Sequence, residues 1–141
     1  MDWKLELIVV PVADIDRAKA FYLEKAGFDL HVDHEAGDFR VVQLTPPGSA
    51  CSIAIMRNLE APGSVQGLHL VVADIEAAHA TLTERGTEVS DPFHFEQGSQ
   101  VPGADPQHGD YESFFSFNDP DGNGWLVQEV GHKDAPHPPE H

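Results

Sequence analysis

Val12-Ala13-Asp14-Ile15-Asp16 recurs as Val72-Ala73-Asp74-Ile75-Glu76, sixty positions later. An apolar run leads into each copy, Leu5 to Val12 and Leu68 to Val72. A helix-period pattern that ends at glycine follows each. Internal repeats of this kind are the first thing to seek in a sequence, because they set the architecture. Asp14 and Asp74 stand where strand alternation gives way to helical periodicity. Each is therefore a candidate N-cap whose carboxylate accepts backbone N–H groups. The first helix places Ile15, Ala18, Tyr22 and Ala26 on one face, with Phe21 beside them, and Gly27 as its stop. The second places Ile75, Ala78 and Leu82 on one face, with His79 at its edge, and stops near Gly86.

Strand patterns follow each helix. In the first half they cover Phe28–His34, Phe39–Thr45 and Cys51–Met56, with Pro46-Pro47-Gly48 turning the last hairpin. In the second half they cover Thr87–Ser90, Ser113–Asn118 and Gly124–Val130. Asp119-Pro120-Asp121-Gly122-Asn123 is the matching turn. Its two carboxylates lack the spacing of an EF-hand loop, so it reads as a plain turn. Each half is thus β-α-β-β-β, linked by Leu59–Gln66. Ser90–Asp110, punctuated by Pro and Gly, reads as one long connection, and loops of that length in a small domain are usually functional or mobile. The fold class expected is α+β: one domain over 1–130, with modules at about 4–57 and 67–130. The polar, Pro-rich stretch 131–141 reads as a disordered tail. Its His132, His137 and His141 have no assigned role.

The chain has 141 residues, with 24 Asp+Glu against 8 Lys+Arg and a net charge of −16. Nucleic acids and anionic membranes both select clustered Lys and Arg, so neither is an expected partner. The acidity suits solubility, and it would steer a cationic ligand. The single cysteine, Cys51, cannot form an internal disulfide and reads as a structural core residue. No basic-then-apolar leader is visible, and the expected location is the cytoplasm.

Val10-Pro11-Val12-Ala13-Asp14-Ile15-Asp16-Arg17-Ala18-Lys19-Ala20-Phe21-Tyr22, then Gly27-Phe28, and later Phe117-Asn118-Asp119-Pro120-Asp121-Gly122-Asn123-Gly124-Trp125, resemble the vicinal-oxygen-chelate superfamily. This is the glyoxalase, bleomycin-resistance and dioxygenase group. With the repeat, the resemblance covers about residues 4–130. It implies two βαβββ modules whose curved mixed sheets enclose a cavity, and a homodimer. Enzymes of the family hold a divalent metal in that cavity and chelate substrate oxygens to it; its drug-sequestering bleomycin-resistance proteins hold none. The fold hosts many chemistries, so it does not by itself name a function.

The resemblance also implies where metal ligands would stand. One place lies on the first strand of each module, at Leu7 and Gly67. The other lies on the last strand, at Leu126 and near Ala54. None of these side chains can bind a divalent ion, whereas a catalytic site needs about three N, O or S donors. The expectation is therefore no metal and no cofactor. A divalent metal held by His69 with His94 or His108 is the alternative.

Strand alternation sorts the remaining candidates. Ile8, Val10 and Val12 face one way, as do Leu68, Leu70 and Val72, which suits packing on the helices. Leu7, Val9, His69, Leu126 and Gln128 take the other face, the one that lines the family's cavity. Glu129 points away from it. A mostly apolar ligand site is expected from Leu7, Val9, Met56 and Leu126, with His69 and Gln128 as polar points and His108 and Tyr111 near its mouth. His69 has an equal claim to be a histidine that only hydrogen-bonds a neighbour. Three function classes follow: a metal-free pocket that binds a small, partly apolar molecule; a metal-dependent lyase, epimerase or thiol transferase; and a partner-binding or structural module with an empty pocket.

Overall fold

The computed structural model describes residues 1–57 and 61–133. The linker residues 58–60 and the tail beyond 133, with His137 and His141, lie outside the described residues. The chain divides into two compact units. The first comprises Met1–Gln66 with Asn118–Gly124; the second takes Gly67–Phe117 and the chain from Trp125 onward.

The first unit runs β1 (Leu7–Pro11), α1 (Ile15–Ala20), β2 (Asp29–Ala36), β3 (Phe39–Thr45) and β4 (Ser52–Met56). Its mixed sheet has the order β1-β4-β3-β2, with β1 parallel to β4 and the other pairs antiparallel. Helix α1 begins as its sequence requires. Asp14 is extended, and its Oδ1 accepts the Arg17 N–H at 3.1 Å. Beyond Ala20 the helix widens into a π turn over Phe21–Lys25, and the Ala26 N–H reaches the Phe21 carbonyl at 3.0 Å. Gly27, at φ 78°, then ends it in the left-handed region that glycine enters without a Cβ penalty. Ile15, Ala18 and Tyr22 are buried on one helix face, and Val10, Val42, Leu44 and Ile55 are fully buried in the sheet. Burying such side chains stabilises by roughly 1.5–3 kcal/mol each.

The turn Asp119–Asn123 belongs to this first unit and is its polar core. The Asp119 carboxylate accepts four hydrogen bonds. Oδ1 takes the N–H groups of Asp121 and Asn123, each at 2.9 Å. Oδ2 takes the Tyr22 hydroxyl and the Asn123 amide, each at 2.8 Å. Asn123 is itself fully buried. Its amide donates to the Pro11 carbonyl at 2.9 Å, and its oxygen accepts the Val65 N–H at 3.1 Å. Asp121 Oδ1 accepts from the Ala13 N–H at 3.2 Å and the Arg17 guanidinium at 3.1 Å. Gly63, at φ 82°, passes so close that a Cβ there would run into the Asp121 backbone carbonyl.

Elsewhere in this unit Asp33 receives Arg40 twice, at 3.0 and 3.1 Å, and Lys19 at 2.7 Å. The Arg40 bonds first, and the Lys19 bond next, hold the Asp33 carboxyl down at about 2.

The second unit runs β5 (Leu68–Val72), α2 (Ile75–Glu84), β6 (Phe93–Glu96), β7 (Ser99–Pro102), β8 (Ser113–Asn118) and β9 (Gly124–Glu129). Its mixed sheet has the order β5-β9-β8-β6-β7, with β5 parallel to β9. Asp74 caps α2 by accepting the Ala77 N–H at 3.0 Å, and Gly86, at φ 81°, follows its end. Ile75, Leu82, Phe115, Phe117, Trp125 and Val127 are buried as the core of this unit.

Two expectations are corrected here. Thr87–Ser90 is not a strand; only Val89 forms a bridge, to Phe117. Ser90–Asp110 is not a plain connection, because it carries the β6–β7 hairpin, whose pairs run from Phe93↔Pro102 to Glu96↔Ser99. The turn is Gln97-Gly98, with φ of 52° and 81°. Two consecutive positive φ values make the two-residue type I′ turn that matches strand twist. Asn-Gly or Asp-Gly would have announced it; Gln-Gly does not.

His94 anchors that hairpin. It is buried, with Nδ1 2.6 Å from the Gly103 carbonyl and Nε2 3.0 Å from the Glu96 carboxylate. Both partners only accept, so the doubly protonated ring satisfies both. The Glu96 bond first, and the Gly103 bond next, raise its pKa above the ordinary 6.5.

Two outcomes are expected. Tyr22→Phe removes one hydrogen bond to a buried carboxylate and should lower the unfolding free energy by about 1.5–3 kcal/mol. Asp119→Ala strands four donors and should cost clearly more; urea titrations giving equal losses would contradict the network. His94, being raised, should stabilise fully below pH 6.5 and lose that contribution as pH rises through its folded-state value. The stability difference between wild type and His94→Gln, followed by thermal melts across pH 5 to 9, should therefore shrink toward alkaline pH. A difference that grew would refute the assignment.

Candidate functional site

Each unit presents one sheet face to its helix, and the second unit leaves much of the other exposed, as at His69 and Val71. In the first unit, register places Leu7, Val9 and Pro11 of β1 beside Ser52, Ala54 and Met56 of β4, with Gln43 of β3 opposite Ala54. These positions alternate with Val10, Ile53, Ile55, Val42 and Leu44, which are buried; Pro11, Ser52 and Ala54 on this face are buried too, while Val9 is partly exposed. Leu7, Val9 and Met56 thus share one face, as alternation requires. Toward the end of that sheet, Glu6, His31, Gln43, Thr45 and Ser52 line a polar groove of about 560 Å³.

The second unit's open face carries the more distinctive chemistry. His69 pairs with Leu126, and Val71 with Gln128, across the parallel β5–β9 ladder. Val71 is 59% exposed, whereas Trp125, Val127 and Glu129 are buried toward the helix side. His69 is exposed, and its Nδ1 bonds the Gly67 carbonyl. A carbonyl accepts only, so Nδ1 carries the proton, and in the neutral ring Nε2 is left as an acceptor. His69, Leu126 and Gln128 are therefore brought together on one face.

Farther across the same face stands an aromatic group that sequence reading missed. Phe93 and Phe114 stack at 5.6 Å, and Phe95 meets their edges at 5.9 and 5.8 Å. Phe93 pairs with Phe114 across β6 and β8, so both side chains emerge on the same side. Phe95 is 48% exposed. A groove of about 530 Å³ opens here, lined by Asp91, Pro92, Phe93, Gln100, Pro102 and Ser116. That volume is within the roughly 300–1,000 Å³ usual for small-molecule sites. The signal was the alternation Phe93-His94-Phe95, hidden inside a segment read as loop.

His108 and Tyr111 were expected near the mouth of this site. His108 instead bonds Glu129, its Nδ1 2.9 Å from Oε1, on the helix side of β9. Tyr111 is exposed where the chain re-enters β8, its N–H held by the Glu129 carbonyl at 2.9 Å. The alternative metal site is also not assembled. His69 is on the open face, His94 on the opposite side of β6 from Phe93, and His108 at Glu129. The places where the resemblance would put metal ligands, Leu7, Ala54, Gly67 and Leu126, offer no donor side chain, so these residues do not fit the family's metal.

No helix among the described residues is long and apolar enough to cross a membrane.

Comparison with known proteins agrees with this fold. A solved antibiotic binding protein from Streptomyces sp. CB03234 is 33% identical, with a TM-score of 0.72, over 91% of this chain and 96% of that one. A solved glyoxalase/bleomycin resistance protein from the same organism is 34% identical, with a TM-score of 0.69, over 89% and 100%. An uncharacterized protein of Bacillus subtilis (strain 168) is 28% identical over 86% of this chain and 94% of its own length. The profile of one family matches residues 4–127, and by that match the chain belongs to the Glyoxalase/Bleomycin resistance protein/Dioxygenase superfamily.

Proposed function

We propose that the chain binds a small, planar, partly apolar molecule on the open sheet face of its second unit, without a metal ion on that face. The observation that carries this reading is the stacked Phe93–Phe95–Phe114 group beside the groove. Rings in mutual contact, with Phe95 exposed and Phe93 and Phe114 half-buried, offer flat, rigid area for a further ring at little entropic cost. His69 and Gln128 supply polar points on the same face. Neighbouring strands are about 4.8 Å apart, so β5 to β6 spans roughly 14 Å, the length of a drug-sized molecule. Asp91 in the groove lining and the net charge of −16 favour a ligand carrying a cationic or N–H-rich group. The 33% identical antibiotic binding protein supports an antibiotic as the class of ligand.

We also propose that the chain works as a homodimer in the cytoplasm, with neither nucleic acid nor membrane as a partner. Light scattering at micromolar concentration should give twice the chain mass of 15.4 kDa; a single monomer peak would refute the dimer.

A panel of planar polycyclic antibiotics, screened by calorimetry, tests the ligand proposal. Phe93→Ala and Phe114→Ala should each weaken the best ligand by about 0.5–1.5 kcal/mol, or roughly 2- to 12-fold. His69→Ala should weaken it by a similar amount if the bonded ligand group is neutral, and by about 1.5–3 kcal/mol if it is charged. EDTA should leave the affinity unchanged. Three variants that bind as wild type would move the site elsewhere, and ligand binding lost in EDTA would support the metal-dependent class.

A further inference from the structure

The helix side of the second unit holds a cluster that the ligand face does not use. His108, Glu129 and His132 each bring one donor atom to within 4.8 Å of the other two. The Glu129 side chain is 0% exposed. Its Oε2 accepts the Ile75 N–H at 2.8 Å, at the start of α2, and its Oε1 lies 2.9 Å from His108 Nδ1. The His108 and His132 rings lie 4.0 Å apart with 13° between their planes. His132 was expected to sit in a disordered tail; it is instead only 9% exposed.

The surrounding backbone holds these groups in place. The Gly131 N–H donates to Asp110 Oδ1 at 2.7 Å, and the Tyr111 N–H donates to the Glu129 carbonyl at 2.9 Å. The loop bearing His108 is thereby fastened to the segment bearing His132. His108 itself has φ 51°. A non-glycine residue in that region is strained, because its Cβ crowds the backbone, and such strain gathers at functional positions.

We propose that His108, Glu129 and His132 bind one divalent transition ion, zinc by preference. Two imidazoles and a carboxylate are the donor set for such an ion, and three protein donors leave a position for water or another ligand. Tetrahedral bonds of about 2.05 Å place donors about 3.3 Å apart. Oε1 and Nδ1 need to open by a few tenths of an ångström, and His132 needs to turn its ring so that its lone pair converges on theirs. The ion replaces the Nδ1 proton that now bridges His108 and Glu129. Ile75 keeps hold of Oε2, which is the outer contact that usually fixes a ligating carboxylate. His108, whose side chain is 24% exposed, gives the ion a way in from solvent. The site is independent of the proposed ligand face, since Glu129 alternates with Gln128 across the sheet.

The test uses the full chain without a histidine tag, with His137→Ala and His141→Ala to remove the distal tail donors. Zinc retained after dialysis, and cobalt titrated under visible absorption, are the readouts. One equivalent of zinc and a cobalt spectrum of tetrahedral intensity are expected. His108→Ala and His132→Ala, in that background and checked for folding by circular dichroism, should each weaken zinc by more than the roughly 10–100-fold that loss of an outer partner costs. Glu129→Gln should do the same but risks unfolding, because Glu129 also holds the start of α2; the histidine variants keep the test decisive. Failure of the background chain to retain zinc at micromolar free metal, or zinc binding unchanged in both histidine variants, would overturn the proposal.

Discussion

The Asp119 carboxylate is the constraint on which the first unit depends. A buried carboxylate is expensive unless its lone pairs are occupied. Here four donors occupy them, two from its own turn, one from Asn123 and one from Tyr22. Each has a further consequence. Tyr22 must be fully buried in the π turn that continues α1. Asn123 must sit where its other groups meet Pro11 and Val65, which ties the end of β1 to the chain just before β5. Gly63 must have no side chain, because the turn backbone fills that space. One turn thereby joins a helix irregularity, a strand end and a glycine through its hydrogen bonds and close packing.

The second unit distributes its chemistry by sheet face. Alternation along β9 puts Gln128 and Leu126 on the open side and Glu129 and Val127 on the helix side. Along β6 it puts Phe93 and Phe95 on the open side and His94 behind. The consequence is a separation of roles. Aromatic area and isolated polar points stand where a ligand can reach them. The titratable groups His94, His108, Glu129 and His132 stand where the backbone and one another satisfy them. An enzyme of this superfamily that chelates its substrate needs metal donors on the open side. At the four places the resemblance gives for such donors, Leu7, Ala54, Gly67 and Leu126, this chain has apolar residues and glycine, while the group of His108, Glu129 and His132 found among the described residues lies behind the sheet.

Much of the fold was legible because it is written in local rules. The repeated Val-Ala-Asp-Ile, with apolar strand before and amphipathic helix after, specifies cap, helix and stop without reference to anything distant. Asp14, Asp74, Gly27 and Gly86 all do what their chemistry requires. Period-two alternation gives Leu7, Val9 and Met56 one face of the first sheet and His69, Leu126 and Gln128 one face of the second, in line with the strand register, but Ile8, expected against the helix, is 38% exposed. The β6–β7 hairpin was not legible, because Gln97-Gly98 is an uncommon filling for a type I′ turn. Its strands are only four residues long.

By itself the sequence determined the superfamily, the two capped helices, the order of most strands and the absence of metal donors at the family's usual places. These depend on residues near one another in the chain. Only the tertiary structure decided that Phe93, Phe95 and Phe114 form one surface, and that His108 leaves the open face for Glu129. Only there does His132 become a buried partner rather than tail. Those outcomes depend on which strand lies beside which and on which buried carboxylate still lacks a donor, and neither quantity has a local signature in the chain.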